Sequence, residues 1–278
     1  MALLPIFILA LVQGITEFLP ISSSGHLILV HAAFGGNATP GSVWQDHMLL
    51  DIAVHIGTLF SVILYFRNDI YKMCAGVKDI ARKDVHAEGS RLIFNLLVGS
   101  IPVMIAGYGL HLWQPEWLLQ VEIVAWTTII FGILLWFADR TPECTRTVND
   151  MGLKHALIIG TTQAFALVPG TSRSGITMTS ARFLGYSRAE SAHFSLLLAI
   201  VAISGAGALS VSELIQTGNM EIGFDFLLAV VLSFITGLGA IILMMKWLER
   251  ATFMPFVIYR LIMGVVLLGL IYGGVISS

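Results

Sequence analysis

The sequence predicts an all-α polytopic membrane protein made of two inverted-topology repeats, each a re-entrant helix hairpin followed by three transmembrane helices. Three observations predict it: composition, the placement of positive charge, and a broken apolar segment that occurs twice. The 278-residue chain is 56% hydrophobic and only 12% charged, with a mean hydropathy of +0.86, against about 25% charged residues in soluble domains. The longest polar connection, at 67–91, is too short to bury a core of its own. Residues 1–278 therefore read as a single integral membrane domain, with repeat 1 at about 1–140 and repeat 2 at about 150–278. The net charge of −2 carries no signature of a nucleic-acid partner, and none is expected.

Apolar runs recur near 49–66, 92–112, 119–138, 191–212, 226–246 and 253–276. Each approaches or exceeds the roughly 18–20 residues that carry a helix across a bilayer core. No Lys or Arg precedes Arg67, so no basic n-region marks a signal peptide. Positive charge is confined to a few places. Arg67, Lys72, Lys78, Arg82, Lys83 and Arg91 share one connection; Arg140, Arg146 and Lys154 share another. Arg182 and Arg188 precede the fourth long run, and Lys246 and Arg250 separate the last two. The connections near 34–48, 113–118 and 214–225 contain no Lys or Arg. The positive-inside rule puts the basic connections in the cytoplasm and the others outside. Residues 5–33 then begin and end outside, and 154–185 begin and end inside, so each reads as a hairpin that does not cross. One hairpin plus three crossings per half inverts the second half relative to the first.

Within 67–91, Ile70, Met73, Cys74, Val77, Ile80 and Ala81 recur at helical spacing opposite Lys72, Lys78, Asp79, Arg82 and Lys83. This predicts an amphipathic helix on the inner membrane surface. Cys74 and Cys144 both fall on the cytoplasmic side and are expected to be reduced thiols without a disulfide or metal role.

The repeated break carries the chemistry. The first copy runs from Gln13 through Glu17, Pro20, Ser22, Ser23, Ser24 and Gly25 to His26; the second runs from Gln163 through Pro169, Gly170, Ser172, Arg173 and Ser174 to Gly175. At an offset of 150 residues, Gln13, Ser22, Ser24 and Gly25 fall on Gln163, Ser172, Ser174 and Gly175. Broken apolar segments in corresponding positions of two halves point to a binding site near the midplane. Arg173 lies at a break with no route to the surface, and ionisable residues at membrane depth are expensive and mark function. With Ser172, Ser174, Gly170 and Gly175 it has the composition of a phosphate site, the guanidinium offering a planar fork and the next helix its N-terminal N–H groups. The alternative is close helix packing around one structural Arg. Arg260, about seven residues into the last span, is expected to snorkel inward in a structural role.

Gln13 and Glu17 stand one turn apart on one helix face, before the break made by Pro20. A buried carboxylate beside His26 reads as an acid/base pair or a metal site. Mg²⁺ needs only one or two protein carboxylates when phosphates supply other ligands. Glu17 and Gln13 would suit a metal that arrives with a diphosphate. Asp51, His55, Glu190 and His193 could line the same cavity, though helix packing explains each of them. A Gly269-x-x-x-Gly273 pattern allows helix pairing, and a homodimer is possible.

Gln13-x-x-x-Glu17, the Ser-Ser-Ser-Gly-His at 22–26, Pro169-Gly-x-Ser-Arg-Ser-x-x-Thr177 and the Tyr259-Arg260 near the end resemble the bacterial undecaprenyl-diphosphate phosphatases, the bacitracin-resistance family, over essentially the whole chain. The resemblance implies hydrolysis of a polyprenyl diphosphate lipid, undecaprenyl diphosphate, to its monophosphate, recycling the carrier for cell-wall synthesis. It implies dependence on Mg²⁺ or Ca²⁺, and a multi-pass protein of the bacterial plasma (inner) membrane among membrane lipids, its site open to the outer side. Catalytic roles then fall on Glu17, Ser23, His26 and Arg173, diphosphate binding on Ser22, Ser24, Gly25, Gly170, Ser172, Ser174 and Thr177, and metal binding on Glu17 and Gln13. The nucleophile stays open between Ser23, His26 and water. Two other classes compete. A polyprenyl-phosphate flippase or transporter would share the broken helices and inverted halves. The type-2 phosphatidic-acid phosphatases also use Ser-Gly-His and Ser-Arg, but here Thr179 stands where that motif needs His, and no Lys-x6-Arg-Pro precedes it.

Overall fold

A computed structural model describes residues 3–34, 40–113, 115–142, 146–217 and 223–276. Cys144 and parts of the three connections without Lys or Arg lie outside the described residues. The described chain is helical, with one isolated bridge between Arg146 and Tyr186. The helices are α1 (Leu3–Thr16), α2 (Ser23–Phe34), α3 (Pro40–Tyr65), α4 (Arg67–Ala81), α5 (Glu88–Trp113), α6 (Val121–Asp139), α7 (Leu153–Gln163), α8 (Arg173–Phe183), α9 (Arg188–Thr217), α10 (Phe224–Leu248) and α11 (Met254–Tyr272).

The six apolar runs of the sequence are the helices α3, α5, α6, α9, α10 and α11. All but α3 pass by themselves as long and apolar enough to cross a membrane; α3 does so with α4, from which it bends by 80°. Their outer faces need lipid: Ile105, Leu243 and Val265 are 69%, 71% and 63% exposed in the isolated chain, more apolar surface than water tolerates in contiguous patches. The other five helices, α1, α2, α4, α7 and α8, are short. α1 has 14 residues and α7 has 11, about 21 and 16 Å at 1.5 Å per residue, against roughly 30 Å of hydrocarbon. Each ends in a break of 17–22 or 164–172, and α2 and α8 follow.

The contacts pair the two halves reciprocally. α1 lies on α10 as α7 lies on α5, and α3 packs on α10 as α9 packs on α5; α3 meets α9, and α6 meets α11. Glycines allow the close crossings. A Cβ on Gly14 of α1 would sit 1.9 Å from Thr236 Oγ1 of α10, and one on Gly160 of α7 would sit 2.1 Å from the Gly99 carbonyl of α5. A Cβ added at Gly269 would meet nothing within 4 Å, so its pattern pairs no helices among the described residues.

The basic connections meet at one end of the bundle. Asp69 of α4 bonds His193 of α9 at 3.1 Å, Lys72 bonds Glu88 at 2.7 Å, and Arg146 donates to the Leu184 carbonyl at 2.6 Å. Arg188 bonds Asp139 at 2.6 Å, and Asp139 also accepts the Phe253 N–H at 3.0 Å. At the other end Tyr272 donates to Glu122. The helix expected in 67–91 is α4. Its Gly76 is buried against Gly89 and Ser90 of α5, while Tyr71, Cys74 and Val77 face outward. Its apolar stripe is thus divided between α5 and the exterior.

Candidate active site

Both breaks are built by the same local chemistry. Pro20 and Pro169 lack an N–H and disfavour helix at the preceding residue. Ser22 and Ser172 then take positive φ, 76° and 72°, a conformation costing a non-glycine residue about 1–3 kcal/mol and concentrated at functional sites. Each caps the helix that follows. Ser22 Oγ accepts from Gly25 N at 3.3 Å and Ser172 Oγ from Gly175 N at 3.1 Å. Ser22 also lies 3.3 Å from Ser24, and Ser172 lies 3.2 Å from Ser174. These four hydroxyls therefore hold the breaks in shape. The tips face each other: a Cβ on Gly25 would be 3.8 Å from Gly170 Cα. Gly170, at φ 87°, is pressed onto α6, with no room beside the Val124 carbonyl for a side chain.

One carboxylate joins the halves. Glu17 is buried; its Oε1 accepts from Arg173 Nη2 at 2.9 Å, and its Oε2 from Ser23 Oγ at 2.6 Å and Gln13 Nε2 at 3.0 Å. Arg173 spends Nη1 on the Ser195 carbonyl of α9 at 3.0 Å. Thr177, one turn along α8, bonds the Arg173 carbonyl at 2.8 Å and Ser195 Oγ at 2.7 Å. Ser174 reaches across to the Leu19 carbonyl at 2.9 Å. A hydroxyl, an acceptor carboxylate and a guanidinium are thus assembled from residues 156 apart in sequence.

His26 stands apart from this triad. Its Nδ1 lies 2.6 Å from the Ser22 carbonyl and its Nε2 2.5 Å from the Tyr259 hydroxyl. Ser23 is bonded to Glu17, and neither His26 nitrogen bonds Ser23.

Arg260 corrects the sequence reading. It does not snorkel; it is fully buried and points at the breaks. Its guanidinium donates to the carbonyls of Pro20 at 3.2 Å, Gly170 and Thr171 at 3.0 Å each, and Thr128 at 3.1 Å. It therefore fastens break 1, break 2 and α6 to one cation. Sequence reasoning missed this, and missed Ser195; an ionisable residue inside a span was the signal for Arg260, while a serine in an apolar helix gives none. The other four acidic and His candidates have packing partners. Asp51 bonds His31 at 3.1 Å, and His55 Nδ1 lies 2.6 Å from the Asp51 carbonyl. Glu190 accepts the Val148 N–H at 2.6 Å, and His193 stacks on Phe66.

A divalent ion fits only in part. Among the described residues no group of three His, Cys, Asp or Glu side chains could hold one. Gln13 Oε1, however, is buried without any hydrogen-bond partner, beside an acceptor-only carboxylate. Two oxygen donors suit a hard cation that brings its remaining ligands on phosphate.

Comparison with known proteins decides the family. A family model described as "Bacitracin resistance protein BacA" matches residues 6–266. The chain belongs to this family. It is 47% identical over 274 residues to the undecaprenyl-diphosphatase of Hahella chejuensis, covering 98% of this chain and 99% of that protein. It is 42% identical over 273 residues to the undecaprenyl-diphosphatases of Ruegeria pomeroyi and of a Jannaschia species, covering 98% of this chain and 100% of each.

Proposed function

We propose that this family member hydrolyses undecaprenyl diphosphate to undecaprenyl phosphate and inorganic phosphate, returning the lipid carrier to cell-wall synthesis and so supporting bacitracin resistance. The observation that carries the reading is the Glu17 carboxylate, which holds the Ser23 hydroxyl and the Arg173 guanidinium at once. Phosphoryl transfer needs a positioned nucleophile and fixed positive charge where the phosphate oxygens sit. The relatives' names supply the substrate.

In this reading the polyprenyl tail lies among the helices and the diphosphate enters between the facing tips. Arg173 and the N–H groups opening α8 and α2 hold the terminal phosphate. Ser23 Oγ attacks its phosphorus and passes its proton to Glu17, while the bridging P–O bond breaks and its electron pair leaves on the lipid monophosphate. Water then displaces Ser23 from the phosphoseryl intermediate, releasing phosphate and restoring the hydroxyl. A divalent metal, Mg²⁺ or Ca²⁺, would be held by Glu17 and Gln13 and would supply positive charge to the diphosphate oxygens. The reciprocal contacts of the two halves and the two serine-capped breaks support inverted repeats with re-entrant hairpins. The single basic end supports a cytoplasmic assignment for that end, and family membership is what suggests a site open to the outer side.

The test of the covalent route is to quench turnover in acid and search for phosphate on Ser23. Phosphoserine at 23 that is absent in Ser23→Ala supports it; a fully active Ser23→Ala enzyme removes it. A flippase would share the architecture but would leave the serine on its carboxylate without a task. Lipid movement without phosphate release would favour it.

A further inference from the structure

α11 presents two consecutive polar residues to the breaks, and the function above uses neither directly. Arg260 turns inward to the carbonyls. Tyr259 turns to His26: the rings stack with centroids 5.6 Å apart and planes within 11°, and the phenol oxygen is 2.5 Å from Nε2. On its other side the imidazole meets the Ser22 carbonyl, at 2.6 Å from Nδ1. The same carbonyl accepts the His26 backbone N–H at 3.3 Å.

These contacts fix a protonation pattern. A carbonyl oxygen only accepts, so Nδ1 must carry the proton. In the neutral ring the lone pair is then on Nε2, and the group facing it must donate, which the Tyr259 hydroxyl does. The ring is held at both nitrogens, with the phenol ring nearly parallel to it. That is the arrangement in which a neighbouring group sets which nitrogen of a histidine is available.

We propose that Tyr259 is a positioning residue that holds His26 as the Nδ1–H tautomer and keeps its basic nitrogen at the mouth of the first break. Ser23, one turn away on α2, is already served by Glu17. His26 is thereby reserved for a different proton, that of the water which releases phosphate from Ser23, with Tyr259 giving up Nε2 when that water arrives. Tyr259 is 42% exposed, so its side chain has room to move aside. The inference rests on the phosphatase reading, since it assigns a role within that reaction.

The test uses full-length protein in detergent, with phosphate release from undecaprenyl diphosphate measured for wild type, Tyr259→Phe, His26→Ala and the double variant. Phe retains the stacked ring and removes only the hydroxyl. The expected result is a kcat lowered about tenfold, the effect of one oriented hydrogen bond, with KM unchanged. The double variant should be no slower than His26→Ala alone, because both changes disable one unit. Phosphoserine should also accumulate in Tyr259→Phe, since attack by Ser23 is intact and its release is slowed. Losses that multiply in the double variant, or a Tyr259→Phe enzyme with wild-type kcat, would overturn the assignment. If Tyr259→Phe melts lower than wild type, Tyr259→Leu, which also has no donor and keeps an apolar side chain of substantial size, supplies the same comparison. No phosphate release from well-folded wild type would instead remove the phosphatase reading itself.

Discussion

Replacing Arg260 with methionine tests how the two halves are held in register. The guanidinium is fully buried and satisfies four carbonyls at 3.0–3.2 Å, those of Pro20, Gly170, Thr171 and Thr128. Methionine has similar length and no donor. It removes a donor from all four; Gly170 keeps the Thr128 hydroxyl at 3.3 Å, and each acceptor left dry and unpaired costs about 1–3 kcal/mol. The simple sum overstates the loss, because the breaks can relax, water can enter, and removing a buried charge recovers its own desolvation cost. A net destabilisation of about 3–5 kcal/mol is the expected scale for breaking such a buried charged cluster. Pro20 belongs to one hairpin and Gly170 to the other, so the damage falls on their juxtaposition and hence on the Glu17–Arg173 contact. The assay pairs thermal melting in detergent with phosphate release from undecaprenyl diphosphate. Arg260→Met should melt several degrees lower and lose at least about a hundredfold in kcat; Arg260→Lys, with a compact ammonium in place of a fork, should fall between. An Arg260→Met enzyme with unchanged melting and more than half the wild-type turnover would refute the reasoning.

Other outcomes follow from the same contacts. Gly170→Ala should abolish activity and sharply reduce the amount of folded protein, since φ is 87° and the new Cβ would lie 2.5 Å from the Val124 carbonyl oxygen; size-exclusion profile and turnover check it. Gln13→Ala should raise the Mg²⁺ or Ca²⁺ concentration for half-maximal activity about tenfold with little change in maximal rate, whereas Gln13→Glu should lower it; metal titrations after chelator treatment decide. On the basic face, burial works to raise the Asp69 carboxyl, but the hydrogen bond and charge of His193, with Lys72, outweigh it and hold the group below its ordinary value. A depressed folded value means that this tether of α4 is intact above the ordinary carboxylate range and is lost only as pH falls through the lower folded value. Hydrogen exchange of α4, corrected for intrinsic rate, should stay flat from pH 7 to about 5 and rise in stronger acid; a rise already at pH 6 would count against it.

Much of the architecture was legible because hydropathy and charge act on whole segments. The six long runs are helices, and the four basic connections share one end. The breaks were legible because proline, glycine and serine have few conformational uses in an apolar setting. What stayed hidden was pairing at atomic range. Nothing in the sequence distinguishes an Arg260 that snorkels from one that turns inward, since the choice depends on carbonyls freed by breaks 89 to 240 residues away. Nor does spacing tell whether Ser23 bonds Glu17 or His26, both within reach on adjacent turns. The hydroxyls of Ser22 and Ser172 read equally as phosphate ligands and as helix caps, and only their bonds from the Gly25 and Gly175 N–H groups show the second use.

The most direct test of the account is phosphate release by the detergent-purified protein from undecaprenyl diphosphate, with and without Mg²⁺ or Ca²⁺, beside Glu17→Ala and Arg173→Ala. Metal-dependent release by wild type, lost in both variants while each remains folded, is the predicted result and would tie the two hairpins to one reaction. Full activity in either variant, or no release by well-folded wild type from this lipid, would contradict it.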